Sequence, residues 1–335
     1  MQGRLSNKPG QPLQSFPWNT WKKEFLRAHS IGFNQIEWLV DDAKNNPIAS
    51  FTDCIGVENG LAVLDDCGTC HQSYIYDSYT HIPTYINDTL GLVLGATEML
   101  ILAGSPEEKI TEGLDGLRER LQDYYKLGAR FTKWRGVYNI SNKYPSKLSI
   151  HSNAHALARY SKLVQECGMV PIVEPEVLMD GDHSAEVCLN KTSEVIKRCF
   201  EELLIHKIDL SGIILKPNMI LAGTTSNKKI SSEEVAKLTL KCLKENVPSE
   251  IPGIAFLSGG QTEIEATENL NLINKYNNTN FIMTYSYGRA LQKSALKFWS
   301  KDIKDTHGTQ KVFNHRANMC TLAAQGKWSA ELETK

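Results

Sequence analysis

MVPIVEPEVL, residues 169–178, is a short apolar and β-branched run that closes on two carboxylates, Glu174 and Glu176, and it follows a glycine, Gly168. Helical periodicity, a glycine stop and then such a run make up the βα unit of a parallel sheet. Upstream, Ala154, Leu157, Ser161 and Val164 mark the helix that Gly168 stops. Before that helix, ARFTKWRGVYNI (129–140) repeats the strand pattern behind Gly128, after a helical stretch over 113–127 that sets Leu114, Leu117, Leu121 and Tyr125 on one face. Downstream, LSGIILKPNM (210–219), IPGIAFLSGG (251–260) and NFIMTYSYG (280–288) continue the rhythm. Between the first two of these, Ser231 with Glu234 predicts a capping box for a helix running to about Glu245.

Working outward, a further strand is expected between Ala96 and Ala103, and the N-terminal stretch supplies two more. These are MQGRL and FNQIEWLVDD, separated by a helix that carries Trp18, Trp21, Phe25 and Ala28 on one face and ends at Gly32. IGVENGLAVLD is another candidate, within a segment from Pro47 to Leu92 that has no clean period. A total near eight parallel strands, each followed by a helix, predicts an α/β fold of the (β/α)8 TIM-barrel type, whose usual size of about 250 residues leaves room for additions at both ends. The expected organisation is a single domain over 1–335, with an atypical β-α-β part at 1–100, the repeating strands at 101–300 and a C-terminal helix and tail at 301–335.

The 335 residues are 41% hydrophobic, and 37 basic residues balance 38 acidic ones, for a formal net charge of -1. No global field would hold such a chain on nucleic acid or an anionic membrane, so phosphate binding must be local. No apolar run reaches the roughly 20 residues of a membrane span, and MQGRLSNKPGQ has no hydrophobic signal core, so a cytoplasmic protein is expected. The eight cysteines then read as free thiols. Cys67-Gly-Thr-Cys70-His71 spells a haem-attachment pattern or half of a zinc site, but it lacks an export signal and a partner pair at zinc-finger spacing, and is read as coincidence.

Reactive side chains of a barrel sit at the C-terminal ends of its strands. Lys133 and Arg135 are two residues apart and share a side, as do Glu174 and Glu176 on the next strand. Lys216 ends the apolar run Gly-Ile-Ile-Leu, where burial disfavours its charged form and Lys133 and Arg135 disfavour it further. Such a lysine is expected to attack a ketone and form an iminium ion, an electron sink for the carbanion left by carbon-carbon cleavage. The two glutamates would move the protons. The competing reading is a buried Lys216–glutamate ion pair. Two glycine-rich strand ends point to phosphate: Ser258-Gly259-Gly260 opens a helix near Thr262, and Ser286-Tyr287-Gly288-Arg289 repeats the arrangement with a guanidinium.

EGLDGLRERLQDYYKLGARFTKWR, VPIVEPEVLMDGDH, ILKPNM, FLSGGQTEIEATENLNLIN and SYGRALQKSALKFW resemble class I fructose-bisphosphate aldolase, and FNHRANMCTLAAQGKW is similar to its C-terminal helix. The resemblance covers about residues 102–328, in order and at family spacing. It implies that Lys216 forms the Schiff base, that Glu174 is the principal acid/base group, and that Lys133, Arg135 and Glu176 tune and orient the site. It further implies that Ser258, Gly259 and Gly260 hold one phosphate, that Ser286, Gly288 and Arg289 complete the phosphate contacts, and that no cofactor or metal is needed. The implied reaction is reversible cleavage of fructose 1,6-bisphosphate to dihydroxyacetone phosphate and glyceraldehyde 3-phosphate, and the implied assembly is a homo-tetramer.

The chain departs from that pattern at its beginning. The family's first strand, which reads like GILAADESTGS and carries an aspartate beside the Schiff-base lysine, is not found, and Leu94 stands where a phosphate-region lysine is expected. The chain stops at Glu-Thr-Lys335, without the family's tyrosine-ended tail, so slow proton exchange is expected. Residues 1–42 instead resemble the opening βα unit of xylose-isomerase-like sugar-phosphate isomerases, also barrels, so the chain reads as composite. Two other functions follow as alternatives: a metal-dependent sugar-phosphate isomerase, and a non-catalytic barrel that binds sugar phosphates.

Overall fold

A computed structural model describes residues 99–334 apart from 127 and 303, together with the backbone of four short strands before them. Those strands are β1 (Val63–Leu64), β2 (Cys70–His71), β3 (Tyr74–Asp77) and β4 (Ile82–Tyr85), paired antiparallel as β1 with β2 and β3 with β4. The expected IGVENGLAVLD strand is thus represented by two residues in an antiparallel pair, and no parallel partner is seen for it among the described residues. The expected MQGRL and FNQIEWLVDD strands, the helix of Trp18 and Phe25, Leu94 and Cys67 lie outside the described residues.

By its contacts the chain divides in two, with Met99–Thr111 and Arg130–Lys335 in one unit and Glu112–Ala129 in the other. In the smaller unit, α1 (Leu117–Lys126) buries Leu117, Arg120, Leu121 and Tyr124. Leu114 precedes the helix and Tyr125 is exposed, a correction to the expected face. Arg120 can occupy a buried position because its guanidinium donates to the carbonyls of Asp115 at 2.7 Å and Gly113 at 2.6 Å. Gly128 ends the segment at φ +103°, in the left-handed region where only glycine is unstrained.

The larger unit is built on five parallel strands, β7 (Phe131–Tyr138), β8 (Val170–Val177), β9 (Ile214–Leu215), β10 (Gly253–Phe256) and β11 (Ile282–Tyr285), hydrogen-bonded in chain order without reversal. A helix crosses between each consecutive pair: α2 (Lys147–Glu166), α3 (Ala185–Ile205), α4 (Ser232–Asn246) and α5 (Glu263–Tyr276). Two further helices follow, α6 (Arg289–Trp299) and α7 (Thr306–Ala324). A parallel sheet wound in one direction, with a helix after every strand, is the TIM-barrel plan.

Each of the four crossover helices begins where a hydroxyl can satisfy a first-turn N–H: Ser146 for α2, Ser184 for α3, Ser231 for α4 and Thr262 for α5. The reciprocal capping box expected at Ser231 and Glu234 occurs instead at Thr262 and Glu265. Ala154, Leu157, Ser161 and Val164 of α2 are all buried, as their spacing predicts, and Gly168 takes φ +73° behind them. The sheet side of the core holds Trp134, Tyr138, Val173, Ile213, Leu215, Ile254 and Phe256. Each such side chain withdrawn from water contributes about 1.5–3 kcal/mol.

The strand expected between Ala96 and Ala103 is present as β5 (Met99–Leu102), but it is not a parallel barrel strand. It folds back through Gly104, at φ +87°, onto β6 (Ser105–Thr111) as an antiparallel hairpin. Leu100 and Ile101 are exposed, so the apolar run is not a buried strand. Within the hairpin Glu108 is buried, accepting from Ser105 Oγ at 2.8 Å, from the Ser146 N–H at 2.9 Å and from the Ser146 hydroxyl. One carboxylate thereby ties the hairpin to the α2 cap.

Candidate active site

The site is set by register. Arg135 of β7 stands opposite Glu174 of β8, Val137 opposite Glu176, and Val173 of β8 opposite Leu215 of β9. One residue further on, the Lys216 N–H donates to the Val173 carbonyl at 2.8 Å. Pro217 then removes a donor, which is why β9 is only two residues long. Lys133, Arg135, Glu174 and Glu176 point to one side of the strands by their spacing of two, and Lys216 joins them from the next strand.

Side chains make the pairing specific. Glu174 lies between two ammonium groups, with Oε1 3.3 Å from Lys216 Nζ and Oε2 3.0 Å from Lys133 Nζ. The Lys133 contact is an ion pair without hydrogen-bond alignment at Oε2. Arg135 Nε meets Glu176 Oε2 at 2.5 Å. Lys216 is 3% exposed and Glu174 4%, so a charge here persists only with a partner. The buried lysine–glutamate pair, set against the nucleophile reading in the sequence, is therefore present; a resting lysine beside a base is also what a nucleophile requires.

The two carboxyls are driven apart. Burial would raise Glu174, but Lys133, Lys216 and Arg135 together outweigh it and hold that carboxyl below its ordinary value of 4.5. Burial also raises Glu176, and there, with the Glu174 charge adding to it, it prevails over Arg135 and Lys216 and leaves the carboxyl above that value. Two neighbouring carboxyls with opposite shifts can divide the roles of base and acid.

The glycine-rich ends fall into line with this cluster. The Leu257 N–H donates to the Pro217 carbonyl at 3.1 Å and the Ser286 N–H to the Phe256 carbonyl at 2.9 Å, so the two turns follow Lys216 in adjacent strands. A Cβ on Gly259 would come within 3.2 Å of Glu176 Oε1, so this turn borders the carboxylate pair. Gly260 has φ +76°, and a Cβ there would meet the Met179 Cβ at 2.6 Å.

The first turn of α5 is occupied by its own capping box, with the Thr262 N–H donating to Glu265 at 2.8 Å, so an anion at Ser258-Gly259-Gly260 would meet the loop rather than that helix end. The opposite holds at α6, which starts at Gly288 without a side-chain cap and with the exposed Arg289 as its first residue. An uncapped helix N-terminus beside a guanidinium suits a phosphate. Tyr287, inside the same turn, faces the core and donates to the Ala266 carbonyl at 2.9 Å.

Asn218 is a positioning residue that the sequence reading passed over. It is buried, accepts from the Val177 N–H at 3.0 Å and donates to Thr192 at 3.1 Å, fixing the end of β8 just beyond Glu176 against α3. Its signal was available: an asparagine directly after Lys216-Pro217, where an apolar strand has already ended.

Comparison with known proteins gives a consistent picture. The family described as glycolytic, fructose-bisphosphate aldolase class-I, matches residues 89–335. The chain is 50% identical over 228 residues to a probable fructose-bisphosphate aldolase class 1 of Xanthomonas campestris, covering 68% of each chain. It is 47% identical over 235 residues to fructose-bisphosphate aldolase of Dictyostelium discoideum, covering 70% of this chain and 66% of the other. Among solved structures, fructose-bisphosphate aldolase of Plasmodium falciparum, in complex with TRAP and a small-molecule inhibitor, is similar with a TM-score of 0.69 and 43% identity, over 70% of this chain and 68% of that one.

Proposed function

Since the chain belongs to the class I fructose-bisphosphate aldolase family, we propose that Lys216 is its Schiff-base nucleophile and that Glu174, Glu176 and Lys133 serve the proton transfers. The observation that carries this reading is the buried Lys216 with Glu174 Oε1 at 3.3 Å and Lys133 on the other oxygen. The reaction is reversible cleavage of fructose 1,6-bisphosphate to dihydroxyacetone phosphate and glyceraldehyde 3-phosphate.

The steps follow from the charges. Glu174, held ionised, takes a proton from Lys216, and the free amine adds to the C2 carbonyl of the ketose. A carboxyl with raised affinity for its proton, Glu176, supplies the acid that helps expel the carbinolamine hydroxyl as water. The resulting iminium accepts the electron pair of the C3–C4 bond as a base removes the C4 hydroxyl proton, releasing the aldehyde and leaving an enamine. Protonation at C3 and hydrolysis return Lys216. Lys133 steadies the negative charge on Glu174 between steps, and Arg135 orients Glu176.

Ser258, Gly259 and Gly260 are assigned to one phosphate of the sugar, and Ser286, Gly288 and Arg289 to the phosphate contacts at the start of α6. The wider parts of the proposal are one barrel domain over 1–335, a cytoplasmic location and a homo-tetramer. No described helix is long and apolar enough to cross a membrane. A coupled assay of fructose 1,6-bisphosphate cleavage tests the function: activity that survives a chelator and disappears in Lys216→Met is expected. Sugar-phosphate isomerisation that requires added divalent metal would replace the aldolase reading with the isomerase one.

A further inference from the structure

Helices α2 and α3 carry a second cluster of titratable groups, away from the residues assigned to catalysis. Glu202, near the end of α3, is almost fully buried, and three histidines close on it: His151 and His155 from successive turns of α2, and His206, the residue that caps the end of α3. His155 Nδ1 is 3.1 Å from Glu202 Oε2, His206 Nδ1 is 3.7 Å from the same oxygen, and His151 Nδ1 is 3.3 Å from Oε1. The His155 and His206 rings meet edge to face with centroids 4.9 Å apart. The ligand atoms of His155, Glu202 and His206 all lie within 4.8 Å of one another.

We propose that His155, Glu202 and His206 form a binding site for a divalent transition-metal cation of the zinc type between α2 and α3, independent of the aldol chemistry. Ligands on one tetrahedral zinc at about 2.0–2.1 Å stand about 3.4 Å from one another. The Glu202–His155 and Glu202–His206 separations, 3.1 and 3.7 Å, straddle that value, and the third edge of the set is within 4.8 Å. Two imidazoles and one carboxylate select zinc-like ions over magnesium or calcium, which prefer all-oxygen sets.

Two contacts restrain the side chains of the cluster. His206 Nδ1 sits 2.9 Å from the Glu202 carbonyl, and the Arg198 guanidinium pairs with Glu202 Oε1 while reaching His151 Nδ1 at 2.8 Å. Ligation through Nδ1 requires that each neutral ring carry its proton on Nε2, so the His206 contact with the Glu202 carbonyl is given up when the ion binds. Metal binding leaves Oε2 to the ion and Oε1 to Arg198, and the fourth position is open to water or, after Arg198 swings away, to His151.

The test is calorimetric titration of zinc chloride into the chelator-stripped full chain, with cobalt absorption spectra as a second readout. The expected result is one saturable site of micromolar affinity, weakened at least tenfold in both His155→Ala and His206→Ala. The cobalt spectrum should show ligand-field bands of nitrogen and oxygen coordination, without thiolate charge transfer. Both variants should retain wild-type aldolase turnover, which shows that they are folded and separates this site from the catalytic reading. Absence of saturable binding, binding unchanged in both variants, or a thiolate-to-cobalt band that accounts for the bound ion would overturn the proposal.

Discussion

Replacing Glu174 by Gln keeps the side-chain volume and takes away a carboxylate that lies between Lys133 and Lys216. At 3.0 and 3.3 Å each contact represents about 5 kcal/mol of attraction at an effective dielectric near 20. Most of that is offset in the native protein by the desolvation of the buried Glu174 and Lys216 and of the half-buried Lys133, so the net effect is far smaller than the sum. Removing one member of a buried pair usually costs about 3–5 kcal/mol, and the amide's ability to fill the space puts this variant near 3 kcal/mol.

The pH dependence has a definite sign. Because the folded carboxyl lies below its ordinary 4.5, its stabilisation is fully present above that value and is lost as pH falls through the lower folded value. Urea denaturation of wild type and variant should therefore differ most at neutral pH and converge in acid, while turnover falls by about a hundred- to ten-thousand-fold. Equal midpoints at neutral pH, or a gap that widens on acidification, would refute the placement of Glu174 as an ionised group between two cations.

Two further outcomes follow from other parts of the structure. Arg316 is buried in α7, bonded through NH1 to Glu333 Oε2 at 2.5 Å and through NH2 to Oε1 at 2.9 Å, and Trp328 Nε1 donates to Oε1 at 2.7 Å. Glu333→Ala leaves that guanidinium its bond to the Thr267 hydroxyl at 2.8 Å but no carboxylate from Glu333, and should lower stability by about 3 kcal/mol, seen as a lower melting temperature with catalytic constants unchanged. Arg289→Ala removes the cation at the uncapped start of α6 and should raise KM for the bisphosphate about tenfold with little change in kcat, measured by steady-state kinetics over a range of salt.

The barrel and the carboxylate-lysine cluster were legible because both depend on local periodicity. Spacing of two places Lys133 with Arg135 and Glu174 with Glu176, and the structure brings these four together with Lys216 as expected. Which cation meets which carboxylate was not legible. Arg135 is registered opposite Glu174 yet pairs with Glu176, while Lys133, registered opposite Ile172, reaches Glu174, so both cations pair two residues further along the neighbouring strand.

The misreadings share a cause: tertiary context overrode a local pattern. Met99–Leu102 is apolar enough for a buried strand, but Gly104 turns it back as a hairpin, and SPEEKIT carries little strand signal because its buried positions, Ser105, Glu108 and Thr111, are all polar. Tyr125 fits the helical stripe, yet the adjacent Tyr124 and the buried Arg120 take the inner face of α1. The pairs His151/His155 and Glu202/His206 were visible at i,i+4 spacing, but only the packing of α2 beside α3 brings them together.

The covalent role of Lys216 can be measured directly. Borohydride added to the protein with dihydroxyacetone phosphate, followed by peptide mass mapping, should find one reduced adduct per chain, on the peptide containing Lys216, at a yield unaffected by chelators. An adduct on Lys133 instead, or no adduct from an enzyme that turns over, would contradict the account.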